Sequence, residues 1–235
     1  MSFATDIESE VKRIFRQQWV TSKTTAVPEP DDIALERNVA KSIDDGTVLY
    51  ADLSGSTNMV LSYSPSFAAE VYRAYLYSAA QIIRNEDGVV TAYDGDRVMA
   101  VFLGKSPNTN AARCALKINY AVKTIINPAI ATQYGTEIVY TVKHVAGVDR
   151  SSLSVARTGV RGDNDLVWVG RAANFAAKLT EIRNDDASFI TGDVFDRLHD
   201  SAKYKAGTTT LMWRERQWSQ MNKMRIYSSN WTWVL

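Results

Sequence analysis

Apolar positions in the first twenty residues recur with helical spacing. Ile7, Val11, Ile14, Phe15 and Trp19 share one side of a helical repeat, which predicts an amphipathic helix over residues 5–19. Val27-Pro28-Glu29-Pro30-Asp31-Asp32 cannot continue it and predicts a linker. The period then changes. Thr47–Leu53 is a β-prone apolar run and predicts a central strand. A Ser/Gly/Thr turn follows at residues 54–57, and Pro65-Ser66 opens a helix to about Glu86, with Phe67, Val71, Tyr75 and Ile82 on its apolar side. Strands are expected at Val89–Tyr93 and Arg97–Leu103, joined by a turn at Asp94-Gly95 with Asp96 as the first residue after it.

The second half repeats the alternation. Pro107 leads a helix to about Ile126, Ile138–Ala146 reads as a strand and Gly159–Asp165 as a polar loop. A strand at Leu166–Val169, a helix from Gly170 to about Ile182, a strand at Ser188–Thr191 and a short helix at Val194–Leu198 complete the core. In the tryptophan-rich tail, Leu211 and Trp213, Met224 and Ile226, and Trp231 and Trp233 alternate as closing strands do. The order strand-helix-strand-strand-helix-strand predicts a ferredoxin-like α+β fold. Residues 1–45 are expected to be an N-terminal helix and linker, 46–200 the main domain, and 201–235 the C-terminal strands that complete it.

Composition narrows the chemistry. At 235 residues, 46% hydrophobic and 23% charged, the chain is globular and of one-domain length, not disordered or fibrous. With 27 Lys+Arg against 26 Asp+Glu, its net charge of +1 gives no bulk attraction for nucleic acid or an anionic membrane. Any anion must be held by a local site. The single cysteine, Cys114, excludes an internal disulfide or a thiolate cluster, and its place on a helix face predicts a small core residue. His144 and His199 are too few and too far apart for a His-rich metal centre. The longest apolar runs, such as Val98–Leu103, are far short of a membrane span, and MSFATDIESE carries acids where a signal peptide carries bases. A soluble, cytoplasmic chain without membrane or nucleic-acid partners is expected.

The acids stand out against this background. Asp52 ends an apolar strand, where a carboxylate needs a metal or an ion pair. Asp96 follows the hairpin turn, and a ferredoxin-like sheet makes that hairpin the neighbour of the first strand, so the two can converge at one sheet edge. Two carboxylates without His or Cys favour Mg²⁺ or Mn²⁺ over Zn²⁺. Ser54-Gly55-Ser56-Thr57 are small enough to let backbone N–H groups approach a phosphate. No Gly-Lys-Ser/Thr follows, so this is not a Walker loop. Each feature alone also reads as an ordinary turn; their conjunction is the specific signal.

Tyr50-Ala51-Asp52-Leu53-Ser54-Gly55-Ser56-Thr57 resembles the first metal motif of class III nucleotidyl cyclases. Asp94-Gly95-Asp96-Arg97 resembles their Gly-Asp hairpin, and Gly170-Arg171-Ala172-Ala173-Asn174-Phe175-Ala176-Ala177-Lys178 their Asn-containing helix, in family order. The resemblance implies attack of a ribose 3′-hydroxyl on the α-phosphorus with loss of pyrophosphate. It implies two divalent ions, Mn²⁺ or Mg²⁺, on Asp52, Asp96 and the Leu53 carbonyl, with residues 54–57 cradling the triphosphate. It also implies a homodimer with shared sites, in which Asn174 orients the ribose and Lys178 acts on a nucleotide whose metals the partner holds.

Three departures from the family pattern matter. The transition-state Arg falls on Lys178, which supplies charge without a bidentate fork, and Arg171 one turn earlier is a candidate to compensate. The two purine-reading positions fall on Ala92 and Val167, neither of which can hydrogen-bond a base edge. In this the chain resembles the bacterial pyrimidine cyclases of Pycsar anti-phage systems, whose cyclic UMP or cyclic CMP activates an effector protein. Tyr50 lies on the same strand face as Asp52 and either narrows a base pocket or is a core aromatic. Arg97 either offers its five donors to uracil carbonyls or is a surface ion-pair partner. The reading favours UTP. A cytidylate cyclase, an adenylate cyclase with atypical base recognition and an inactive nucleotide-binding module stay open as alternatives.

Overall fold

A computed structural model of the chain describes residues 2–35, 38–182 and 185–235. In chain order its elements begin with α1 (Phe3–Arg16), β1 (Val20–Lys23), β2 (Val39–Ser54), α2 (Ser56–Ser62), α3 (Pro65–Asn85), β3 (Gly88–Asp94), β4 (Arg97–Phe102) and α4 (Pro107–Ala121). They continue with α5 (Asn127–Tyr134), β5 (Lys143–Val160), β6 (Asp163–Val169), α6 (Arg171–Leu179) and β7 (Ser188–Thr191). The last are α7 (Gly192–Asp196), α8 (Asp200–Lys203), β8 (Arg214–Trp218) and β9 (Met224–Ser229). Contacts divide the chain into a smaller unit, Met1–Asp44 with Ser152–Gly170, and a larger one, Asp45–Ser151 with Arg171–Leu235.

In the smaller unit, the Ser2 side chain accepts from the Thr5 N–H at 3.3 Å and caps α1. Ion pairs Lys12–Glu8 and Arg13–Glu10 line its polar face. The helix stops short of Trp19, and no residue of it is buried: Phe3 is 81% and Phe15 86% exposed. β1 runs parallel to the start of β2, from Val20↔Val39 to Lys23↔Ser42. The stretch Gly159–Asp165, expected as a loop, is the tight end of a hairpin, because β5 and β6 pair from Ser154↔Val169 to Val160↔Asp163. Arg157 holds this end, with Nε donating to Asn164 Oδ1 at 2.6 Å and an ion pair to Asp31 at 3.2 Å.

In the larger unit, the sheet order is β3-β4-β2-β5-β7-β9-β8. Its first four strands, with α3 and α4, are the ferredoxin-like core expected from the sequence. The Ser64 side chain accepts from the Phe67 N–H at 3.3 Å and Pro65 follows it, which starts α3. Phe67, Val71, Tyr75 and Ile82 of α3 meet Cys114, Leu116 and Ile118 of α4 over Leu49, Ala51, Val98, Ala100 and Phe102 of the sheet. α4 passes through a wide turn at Val122–Ile126 into α5. β5 starts at Lys143, not Ile138. Asn127 takes both backbone groups of Val142 (2.7 Å from its N–H, 3.1 Å to its carbonyl), which removes them from a ladder. β8 and β9 pair antiparallel, and Met224 and Ile226 lie on β9 as expected, but Leu211 and Trp213 precede β8 and Trp231 and Trp233 follow β9. The Trp233 N–H donates to the Leu116 carbonyl at 3.1 Å. A Cβ on Gly147 would lie 2.2 Å from the Ala176 carbonyl oxygen, so only glycine lets α6 rest this closely on β5.

Candidate active site

Strand alternation separates core from site. Leu49, Ala51 and Leu53 of β2 join the core with Val98, Ala100 and Phe102 of β4, so Tyr50, Asp52, Arg97 and Met99 take the other sheet face. The register builds two rows there: Ala92, Met99 and Tyr50 oppose one another across β3, β4 and β2, and Asp94, Arg97 and Asp52 form the next row. Arg97 donates from Nε and Nη2 to Asp94 Oδ2 at 3.2 and 2.6 Å. These bonds use two of the guanidinium's five donors. The Asp94 bond above all, with the nearby Asp94 and Asp52 charges, raises the Arg97 pKa against the opposing effect of burial.

A cavity of about 150 Å³ lies against these rows, lined by Tyr50, Ala92, Asp94, Arg97, Met99 and, from α6, Ala177. Tyr50, Ala92 and Arg97, separate candidates in the sequence, thus meet in one place. Asp94, Met99 and Ala177 were not expected there. Asp94 was detectable in principle, because a two-residue hairpin loop sets its flanking residues directly opposite. Val167 belongs to the smaller unit, on β6 opposite Ala156, and is 41% exposed.

The hairpin corrects one expectation. Asp94 pairs with Arg97, so the loop is Gly95-Asp96 and not Asp94-Gly95. Gly95 has φ +61°, a conformation that side-chain-bearing residues rarely adopt. Asp96 therefore sits in the loop itself. Its Oδ2 is buried and has no hydrogen-bond partner among the described residues. Burial raises the Tyr75 phenol pKa well above its ordinary value, and the charges of Asp52 and Asp96 push it the same way. Both carboxylates therefore lie within electrostatic reach of one buried hydroxyl. Among the described residues no group of three or more His, Cys, Asp or Glu is gathered to hold a metal ion; what Asp52 and Asp96 would offer is hard carboxylate oxygen. A divalent cation fits the unpartnered Asp96 oxygen. Beyond Asp52, Leu53 is buried, Ser54 ends β2, Gly55 is left-handed at φ +77°, and Ser56 and Thr57 open α2.

On α6, Asn174 and Lys178 are exposed and one turn apart, so they share a helix face. Arg171, a candidate to compensate for the missing transition-state Arg, is exposed and ion-paired within its own chain. It donates to Asp149 at 3.0 and 3.2 Å, to Asp193 at 2.6 Å and to the Arg150 carbonyl at 2.8 Å. Asp149 is fully buried and also accepts from Thr191 Oγ1 at 2.6 Å. Burial raises the Asp149 pKa, while the Thr191 bond and the Arg171 charge work against the rise. Arg171 is thus a strut that seats the first turn of α6.

The comparisons place this arrangement. The guanylyl cyclase Cya2 matches with a TM-score of 0.66 at 16% identity, covering 82% of this chain and 94% of that one. The adenylyl cyclase CyaB from P. aeruginosa matches with a TM-score of 0.64 at 18% identity, covering 81% and 95%. No family model matches the chain. The fold is that of a class III cyclase catalytic domain. Sequence relatives are more specific. The chain is 50% identical to a uridylate cyclase of Burkholderia cepacia over 100% of both proteins. It is 51% identical to one of Xanthomonas perforans, over 94% of this chain and 93% of that protein. The chain is a nucleotidyl cyclase and belongs to the uridylate cyclase family. No helix among the described residues is long and apolar enough to cross a membrane.

Proposed function

We propose that the chain converts UTP to 3′,5′-cyclic UMP and pyrophosphate. The observation that carries the base assignment is the convergence of Tyr50, Ala92 and Arg97 on one cavity of about 150 Å³. Ala92 removes a purine-reading donor, the Tyr50 ring narrows the space, and Arg97 faces the base with donors suited to uracil O2 or O4. Cytosine offers O2 and N3 as its acceptors and matches this donor less well, which leaves CTP as the second reading.

The reaction forms an O3′–P bond at the α-phosphorus and breaks the bond to the β-phosphate, whose electron pair leaves with pyrophosphate; the 3′-hydroxyl proton passes to solvent. Asp52, Asp96 and the Leu53 carbonyl would hold two divalent ions, Mn²⁺ or Mg²⁺. Such ions acidify the attacking hydroxyl and neutralise the triphosphate. The backbone at Ser54, Gly55, Ser56 and Thr57 cradles the phosphates. Asn174 orients the ribose and Lys178 meets the charge that develops on the α-phosphate. Their exposure on α6 supports a homodimer in which they serve a nucleotide whose metals the second copy holds. The cyclic product would act as a second messenger for an effector, as in the anti-phage systems the chain resembles.

Incubation of the purified protein with Mn²⁺ and each of the four nucleoside triphosphates, with products separated by chromatography, tests this. Cyclic UMP from UTP is expected; cyclic CMP or cyclic AMP as main product would replace the base assignment, and no product at all would refute the enzyme reading. Mixing Asp52→Ala with Asn174→Ala chains should restore one working site per heterodimer, and no recovery would refute the shared site.

A further inference from the structure

α1 carries an apolar stripe that is exposed along its length. Ala4, Ile7, Val11 and Ile14 follow one another at spacings of three and four, and Phe3 and Phe15 flank them. Ile7, Val11 and Ile14 are 50%, 44% and 40% exposed. The helix is nevertheless held at its end. Asn38, itself buried, donates from Nδ2 to the carbonyls of Ile14 and Gln17 at 2.6 and 2.8 Å. The Asn38 carbonyl accepts from the Val20 N–H at 2.8 Å. This satisfies orphan carbonyls of the last turn and ties α1 to β1 and the start of β2, while the stripe stays open.

The charges of α1 say what fits the stripe. Asp6, Glu8 and Glu10 occupy its first half and Lys12, Arg13 and Arg16 its second. Three acids against three bases leave the helix without net charge, and so without attraction for an anionic lipid surface. A second copy of the helix laid antiparallel sets each acidic half against a basic half and opposes the two helix dipoles favourably. Laid parallel, it sets acids beside acids and bases beside bases. The ion pairs Lys12–Glu8 and Arg13–Glu10 lie at the surface, hold little energy and leave their charges available to a neighbour.

The apolar pattern has the same symmetry. Ile7 and Val11 lie equally far to either side of Ser9, and so do Ala4 and Ile14. Antiparallel pairing about Ser9 therefore seats Ile7 of one copy on Val11 of the other, and Ala4 on Ile14.

We propose that α1 pairs antiparallel with α1 of a second copy of this chain through the stripe. Such a contact is isologous, each copy giving and receiving the same patch, as a twofold axis requires. Neither the contact nor its test depends on which nucleotide the chain takes.

Cysteine cross-linking of the full-length protein tests it. The chain's one cysteine, Cys114, is buried and gives no background. Ala4 and Ile14 lie about 15 Å apart along the helix, too far for a disulfide within one chain or between like positions of an antiparallel pair. Mixed Ala4→Cys and Ile14→Cys chains should form a covalent dimer under mild oxidation, and each variant alone should form about tenfold less. Val11→Glu, at an exposed position, should cut the yield about tenfold with an unchanged thermal midpoint. Covalent dimers from each single variant as readily as from the mixture would mean a parallel pair and overturn the proposal. A mixture that gives none, or a yield unmoved by Val11→Glu, would overturn it as well. So would sedimentation of the protein with phosphatidylglycerol vesicles that Val11→Glu abolishes, which would assign the stripe to a lipid surface.

Discussion

Asp149 and Asp96 both have oxygen atoms withdrawn from water, and the chain treats them oppositely. Asp149 is matched on the spot by Arg171 and Thr191. Asp96 keeps a buried Oδ2 with no hydrogen-bond partner among the described residues. A buried carboxylate oxygen without a donor is costly, and a fold keeps one only where something else completes it. Asp149 therefore ties β5 to the first turn of α6, whereas Asp96 is the acid to which the proposed function gives a cation.

The strongest way to break this contrast is Asp96→Asn. Turnover should fall about a thousandfold, the scale of losing a principal electrostatic contact in a transition state. The thermal midpoint should hold or rise, because the amide removes an uncompensated charge. A midpoint drop with retained turnover would make Asp96 a structural residue. Asp149→Ala should do the reverse in kind. Removing the acid takes two hydrogen bonds from Arg171, which keeps Asp193, and one from Thr191, and urea unfolding should show a loss of about 2 kcal/mol. Combining it with Arg171→Met should cost less than the sum of the two single changes, since their shared contact is lost only once. Full additivity of the two changes would mean that the pair does not act as one strut.

His144, which is buried, stands between the two cases: Nε2 lies 3.4 Å from Asn119 Oδ1, and Nδ1 has no hydrogen-bond partner among the described residues. Its folded pKa of about 3 lies below the ordinary 6.5, so unfolding takes up a proton between those values. Stability should therefore fall by a few kcal/mol as pH drops from 6.5 to about 3, in addition to the titration of the carboxylates. The stability curve of His144→Gln should be flatter over that window, and an identical slope would show that the ring is already protonated in the fold.

Sequence and structure agree best where chemistry is local. Asp52 stood out because an acid ended an apolar strand, and residues 54–57 because small residues followed it. Longer-range pairings were invisible. Residues 39–45 read as linker, yet the first of them pair with β1 in parallel, a choice made by a partner many positions away. Arg171 looked like a free cation because Asp149 and Asp193 lie 22 residues to either side of it. The place of His144 beside Asn119 has no motif at all; it follows only from packing β5 against α4.

Arg97 offers the finest division between architecture and function, since one guanidinium contacts Asp94 and also lines the candidate base cavity. The Asp94 partner is 72% exposed, so the pair is worth at most about 1 kcal/mol of stability. Asp94→Asn should then leave the unfolding midpoint almost unchanged. It should nevertheless loosen Arg97 within its row and raise the KM for UTP about fivefold, the equivalent of that 1 kcal/mol, with kcat little affected. An unchanged KM would mean that the β-strand register alone aims Arg97. A fall in kcat without a change in KM would place Asp94 with the metal acids rather than with the base pocket.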